Sequence, residues 1–141
     1  MASTVPFKLI TPTSIAFDGE VELVIATGTE GEFGILPKHA PFVTTLRPGV
    51  MRANVPDEHG QTKRLELATG GGFLQAFPDR VTMIVESAVN GDAVDRHAAR
   101  EELKAALERQ KAAGSDLDAW RREQAIIDFA QAKLRVSEGL G

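Results

Sequence analysis

The chain contains no cysteine, which excludes disulfides, thiolate metal sites and cysteine nucleophiles. It has no run of about 18 apolar residues, the length a bilayer-crossing helix needs. Met1 to Leu9 lacks the basic-then-apolar form of a signal peptide. A cytoplasmic protein, free to dock on a membrane complex, is the expectation. Positive charge is not in excess either. The net charge of −4 provides no field for holding nucleic acid or anionic lipid. Histidine is limited to His39, His59 and His97, without HxH or HExxH spacing. Asp57-Glu58-His59 runs into Gly60 and reads as a polar hairpin tip. There is no GxSxG elbow, and the carboxylates are scattered without marking an acid–base pair. Gly28-Thr29-Glu30-Gly31-Glu32-Phe33-Gly34 lacks the order of a dinucleotide loop and the Lys-Ser/Thr end of a P-loop. Gly70-Gly71-Gly72 reads as a bulge or tight turn. No catalytic residue, metal site or cofactor is expected.

What is present divides into two halves near Asn90-Gly91-Asp92. Ten of the 13 glycines and all 7 prolines lie in residues 1–91. Between them run short segments of period two, the mark of half-buried strands. Val21, Leu23 and Ile25 alternate with Glu20 and Glu22; Leu65 and Leu67 with Arg64 and Glu66; Val81, Met83 and Val85 with Arg80 and Thr82. Turn signals stand at Asp18-Gly19, Pro48-Gly49, His59-Gly60 and Pro78-Asp79. Many short strands closely spaced predict an antiparallel β-sandwich.

After Asp92 there is no proline, and the spacing becomes helical. Val94, Ala98, Leu103 and Leu107 predict one stripe, with Ala99, Ala105 and Ala106 beside them. Ala112-Ala113-Gly114-Ser115 ends that helix, with Ser115 placed to cap the next. Leu117, Trp120, Ile127, Ala130 and Leu134 form the second stripe. So short a connection makes the helices antiparallel neighbours. Their alanine-rich faces bury little area, so the hairpin should be weakly held. The expected class is α+β: a sandwich over 1–91 and a two-helix hairpin over 92–141. Residues 92–141 carry 10 acidic and 9 basic side chains, a solvated surface able to pair with a charged partner.

The most distinctive segment is Gly34-Ile35-Leu36-Pro37-Lys38-His39-Ala40-Pro41-Phe42. Its two prolines fix two backbone angles and push Leu36 and Ala40 toward extended geometry. The result is a stiff loop. It reads as a sandwich corner with His39 bonded to backbone, or as a preformed docking surface. With the residues before it, from Gly28, and with Leu46-Arg47-Pro48-Gly49-Val50, Gly71-Gly72-Phe73-Leu74 and Asp79-Arg80-Val81-Thr82, this segment resembles the epsilon subunits of F-type ATP synthases. The resemblance extends over essentially the whole chain.

That resemblance implies a central-stalk rotor subunit without an active site. It couples proton flow to ATP synthesis and can restrain ATP hydrolysis. It implies contact with the gamma subunit, the c-ring and the beta subunit, at the cytoplasmic face of a bacterial inner membrane. Glu32, Pro37, His39 and Pro41 match the ring- and gamma-docking segment. Arg109, Lys111, Arg121 and Arg122, near the hairpin bend, are candidates for the beta subunit. Some relatives bind ATP through an Ile/Leu-Asp-x-x-Arg-Ala segment, matched here by Val94-Asp95-Arg96-His97-Ala98-Ala99. Ala98 stands in place of the arginine. Arg96 and Arg100 point roughly 100–200° away from that position on a helix. A site built on Asp95, Arg96 and Arg100 should bind nucleotide weakly or not at all. Two other classes compete: a free-standing sandwich module with a helical dimerisation tail, and a small hydrolase. The absence of nucleophile and metal motifs disfavours the hydrolase.

Overall fold

The computed structural model describes residues 3–139. Ten strands are followed by two helices. They are β1 (Val5–Ile10), β2 (Ile15–Val21), β3 (Leu23–Gly28), β4 (Gly31–Ile35), β5 (Phe42–Leu46), β6 (Gly49–Pro56), β7 (Thr62–Thr69), β8 (Gly72–Phe77), β9 (Arg80–Val85) and β10 (Ala88–Asn90). A 3-10 turn, Gly91–Ala93, leads to α1 (Arg96–Ala112) and α2 (Leu117–Ser137). One layer runs β4-β3-β6-β7-β10 and the other β5-β8-β9-β1-β2. They join through a single pairing, Gly28 with Leu46.

Between the layers lie Phe7, Leu9, Val24, Ile35, Met51, Leu74, Val81 and Met83, all at or near zero exposure. The alternation read at Val81, Met83 and Val85 therefore faces inward. So does that of Leu67, with Leu65 packed beside the core. The ladders are antiparallel with one exception. β1 and β9 run parallel, Phe7 beside Val81, which the expectation of an antiparallel sandwich did not include.

Other expectations need correction. The alternation assigned to Val21, Leu23 and Ile25 breaks at Glu22, where the chain passes from one layer to the other. Beyond this bend Val24 and Ala26 are buried, while Leu23 and Ile25 are only half-buried. Asp18-Gly19 is not a turn: it lies inside β2, with Gly19 beside Phe7. Pro48-Gly49, His59-Gly60 and Pro78-Asp79 do stand at strand connections.

The helices also differ in register. Val94 precedes α1, and Asp95 caps it, accepting from Ala98 N at 3.0 Å. α1 turns Ala99 and Ala106 inward, while Ala98 and Leu107 are exposed. Its neighbour is α2, and small residues let the two axes approach. Gly114, at φ +58°, ends the first helix in the left-handed geometry that glycine tolerates. The α2 cap is Asp116, not Ser115, accepting from Ala119 N at 3.1 Å. Ile127 and Ala130 are buried as expected, and Leu134 is half-buried. Leu117 and Trp120 are exposed because this end of α2 projects beyond the sheet's apolar contact.

Candidate functional site: two faces and a rigid loop

The two layers use their outer faces differently. β6 and β7 are apolar on both sides at Val50-Met51 and Leu67-Ala68. Met51 and Leu67 face the core. Val50 and Ala68, paired across the ladder, point outward and meet Ala132 and Val136 of α2, with Val94 and Phe129 alongside. This small cluster seats the hairpin. Polar contacts join the helices to each other. Arg109 Nε donates to Glu123 Oε1 at 2.9 Å, and Lys133 pairs with Glu102 at 3.0 Å. Gln110 Nε2 donates to Gln124 Oε1 at 2.8 Å, and Gln124 donates onward to Asp128 at 2.8 Å.

Among the described residues, no helix or further strand covers the other layer's outer face. Strand register aligns Phe73 with Ile84, Ile84 with Ile10, and Ile10 with Ile15. Phe73 is 45% exposed, Ile84 37% and Ile15 57%. An apolar row thus crosses β8, β9, β1 and β2, and Val43 extends the exposed apolar surface on β5. Sequence reading missed this row because its members are scattered along the chain. Their isolated outward positions acquire meaning only through the register.

The proline loop closes one edge of the sandwich. His39 N donates to Leu36 O at 3.3 Å, and Lys38 adopts φ +66°, uncommon for a residue with a Cβ. His39 Nδ1 lies 2.7 Å from Ala40 O. The His39 ring packs on Phe42, and Phe42 meets Phe33 edge-on. Pro37 is half-buried, while Leu36 and Pro41 are exposed.

Glu32 stands near the opposite end of β4, about 10 Å along the strand from Ile35 at some 3.3 Å per residue. Its carboxylate accepts from Arg52 Nη2 at 3.2 Å. The Arg52 side chain is only 12% exposed. Its Nε is the one buried side-chain polar atom without a hydrogen-bond partner among the described residues. Glu32 and Arg52 line a cavity of about 510 Å³ beside α2, whose far wall includes Gln131 and Arg135. Glu32 therefore looks toward the hairpin, not toward the proline loop.

The remaining candidates separate. Asp95 caps α1, Arg96 Nη2 donates to Ser137 O at 2.5 Å, and Arg100 lies 3.9 Å from Glu138. At the bend, Lys111, Arg121 and Arg122 are exposed, whereas Arg109 is engaged with Glu123. No group of His and carboxylates suited to a metal occurs among the described residues. Nor is any described helix long and apolar enough to cross a membrane.

Residues 4–91 match the family model for the ATP synthase delta/epsilon chain β-sandwich domain. The chain belongs to the ATP synthase delta/epsilon chain family. Similarity to epsilon chains continues beyond that domain. The chain is 34% identical to the ATP synthase epsilon chain of Rhodospirillum rubrum over 139 residues, covering 99% of this chain and 100% of that one. It is 34% identical to the epsilon chain of Desulforamulus reducens, covering 89% and 92%. Among solved structures, a chain of the Euglena gracilis mitochondrial ATP synthase (OSCP/F1/c-ring) superposes with TM-score 0.75 at 19% identity, covering 96% of this chain and 81% of that one. A chain of the Tetrahymena thermophila central stalk/c-ring assembly gives 0.58 at 18% identity, covering 93% and 97%. At those identities the structural matches speak for the fold alone.

Proposed function

We propose that this chain is a non-catalytic central-stalk subunit of an F-type ATP synthase, coupling proton translocation to ATP synthesis, with a hairpin that restrains ATP hydrolysis. The observation that carries the reading is the end-to-end match with bacterial ATP synthase epsilon chains, sandwich and helices alike. Residues 1–91 act as the docking unit and 92–141 as the regulatory one. The complex holds the chain at the cytoplasmic face of the bacterial inner membrane.

The uncovered row of Phe73, Ile84, Ile10 and Ile15 is the surface we assign to the gamma subunit. An exposed apolar stripe in a soluble sandwich suits a permanent protein neighbour. Pro37, His39 and Pro41 are assigned to the rotor ring. Their loop is fixed by two prolines and by the bond between His39 Nδ1 and Ala40 O, so little ordering cost accompanies docking. Glu32, in β4 and paired with Arg52 on the hairpin side, lies away from this loop, so we do not assign it to the ring contact. Lys111, Arg121 and Arg122, exposed at the hairpin bend, present positive charge to acidic segments of the beta subunit. Arg109 joins them only by giving up Glu123. Asp95, Arg96 and Arg100 serve intrachain contacts, and Ala98 supplies no guanidinium, so we assign the chain no tight ATP site.

Reconstitution tests the reading. A gamma-containing ATPase complex lacking its own epsilon should bind the full chain and lose hydrolytic activity. Residues 1–91 alone should bind without inhibiting. A purified chain that associates with neither gamma nor ring would instead be a free-standing sandwich module.

A further inference from the structure

The far end of the hairpin grips the linker from which the hairpin grows. Gly91 opens the turn between β10 and α1, and the last turn of α2 rests on it. A Cβ at Gly91 would lie 2.3 Å from the Val136 carbonyl oxygen and 2.9 Å from its carbonyl carbon. Both are backbone atoms, so no side-chain rotation could relieve the clash. Arg96, in the first turn of α1, reaches back and donates to Ser137 O at 2.5 Å. That carbonyl belongs to the last residue of α2, at the end of a helix where carbonyls commonly take side-chain donors. The guanidinium also opposes the negative end of the helix dipole. Val94, between these two residues, packs into the Val50–Ala68–Val136 cluster. At the other end of the hairpin, Leu117 and Trp120 are exposed. The hairpin's apolar seat on the sheet is therefore concentrated at the C-terminal half of α2.

We propose that Gly91 and Arg96 form a latch for the last turn of α2, and that release of this turn is the first step when the hairpin leaves the sheet. Any swing must pivot about residues 91–95. Gly91 and Val94 of that segment lie against Val136, so the pivot is blocked until the C-terminal turn lifts. The regulatory meaning of the latch rests on the movable-hairpin reading proposed above; the latch itself is measurable in the isolated chain.

Hydrogen exchange by mass spectrometry on the full-length protein provides the test. Gly91→Ala should raise exchange in peptides covering 129–139 by at least about tenfold, while peptides from β1, β8 and β9 keep their protection. Arg96→Ala should act in the same direction with smaller amplitude, and it decides the matter if Gly91→Ala does not fold. Protection of 129–139 unchanged in both variants would overturn the latch. So would protection lost equally from the sandwich and α2, because the last turn would then have no opening step of its own. Hydrolysis inhibition in the reconstituted complex is a separate readout. A variant that loosens 129–139 yet inhibits normally would sink the regulatory reading and leave the latch intact.

Discussion

Met51 and Val50 are neighbours in β6, yet they belong to different interfaces. Met51 lies in the core at zero exposure, and Val50 faces the helices. Met51→Ala should therefore lower the stability of the sandwich itself, by about 2–5 kcal/mol in a urea titration. Arg109→Ala should cost less than about 1 kcal/mol in the same measurement, because the Arg109 side chain of the Glu123 pair is 52% exposed and solvent screens it. Many inward positions of β9 were legible, since strict alternation at Val81, Met83 and Val85 has one physical meaning. Lys38 was not. Nothing in its side chain announces a positive φ; the angle is imposed where Pro37 and Pro41 force the chain to reverse. The contacts of Phe42 with His39 and with Phe33 were equally hidden, because they bring β4 and β5 side chains together across that turn.

Between residue and molecule stand the elements, and here the uncovered sheet face makes its own prediction. Phe73→Asp or Ile84→Asp should leave the isolated chain folded, since each side chain already meets water. Binding to gamma should weaken by at least tenfold, the loss of about 1.4 kcal/mol or more, as titration calorimetry would read it. Unchanged affinity would move the gamma interface elsewhere. The two helices were legible as helices, and their antiparallel pairing followed from the short Gly114 connection. Their faces were harder. The expected stripe ran through Ala98 and Leu107 with Ala99 and Ala106 beside it, whereas the structure buries those two alanines and exposes Ala98 and Leu107. α1 rests on another helix at close range and not on the sheet, so size matters less there than smallness. β2 and β3 misled for a different reason. A bend at Glu22 moves the chain between layers and shifts which residues of the alternation point inward.

At the scale of the whole molecule, the hairpin and the sandwich share only a modest apolar seat, Val50 and Ala68 against Ala132 and Val136. Residues 1–91 should accordingly refold alone, with a cooperative thermal transition detected by circular dichroism. Loss of that transition would show that α2 completes the core. The fold class was readable from the switch in period near Asn90. The site was readable only in part, because the proline loop is continuous in sequence while the apolar row is assembled from four separate strands.

The parallel pairing of β1 with β9 also governs when the sheet can close as the chain is synthesised. Phe7 emerges from the ribosome early, but the strand that flanks it, around Val81, is among the last of the sandwich to be synthesised. Until then β1 has only β2 to pair with and lacks its second neighbour, and contacts so distant along the chain form slowly. A nascent chain halted before Arg80 should remain sensitive to protease at its N-terminal strands, and one extended past Asn90 should become resistant.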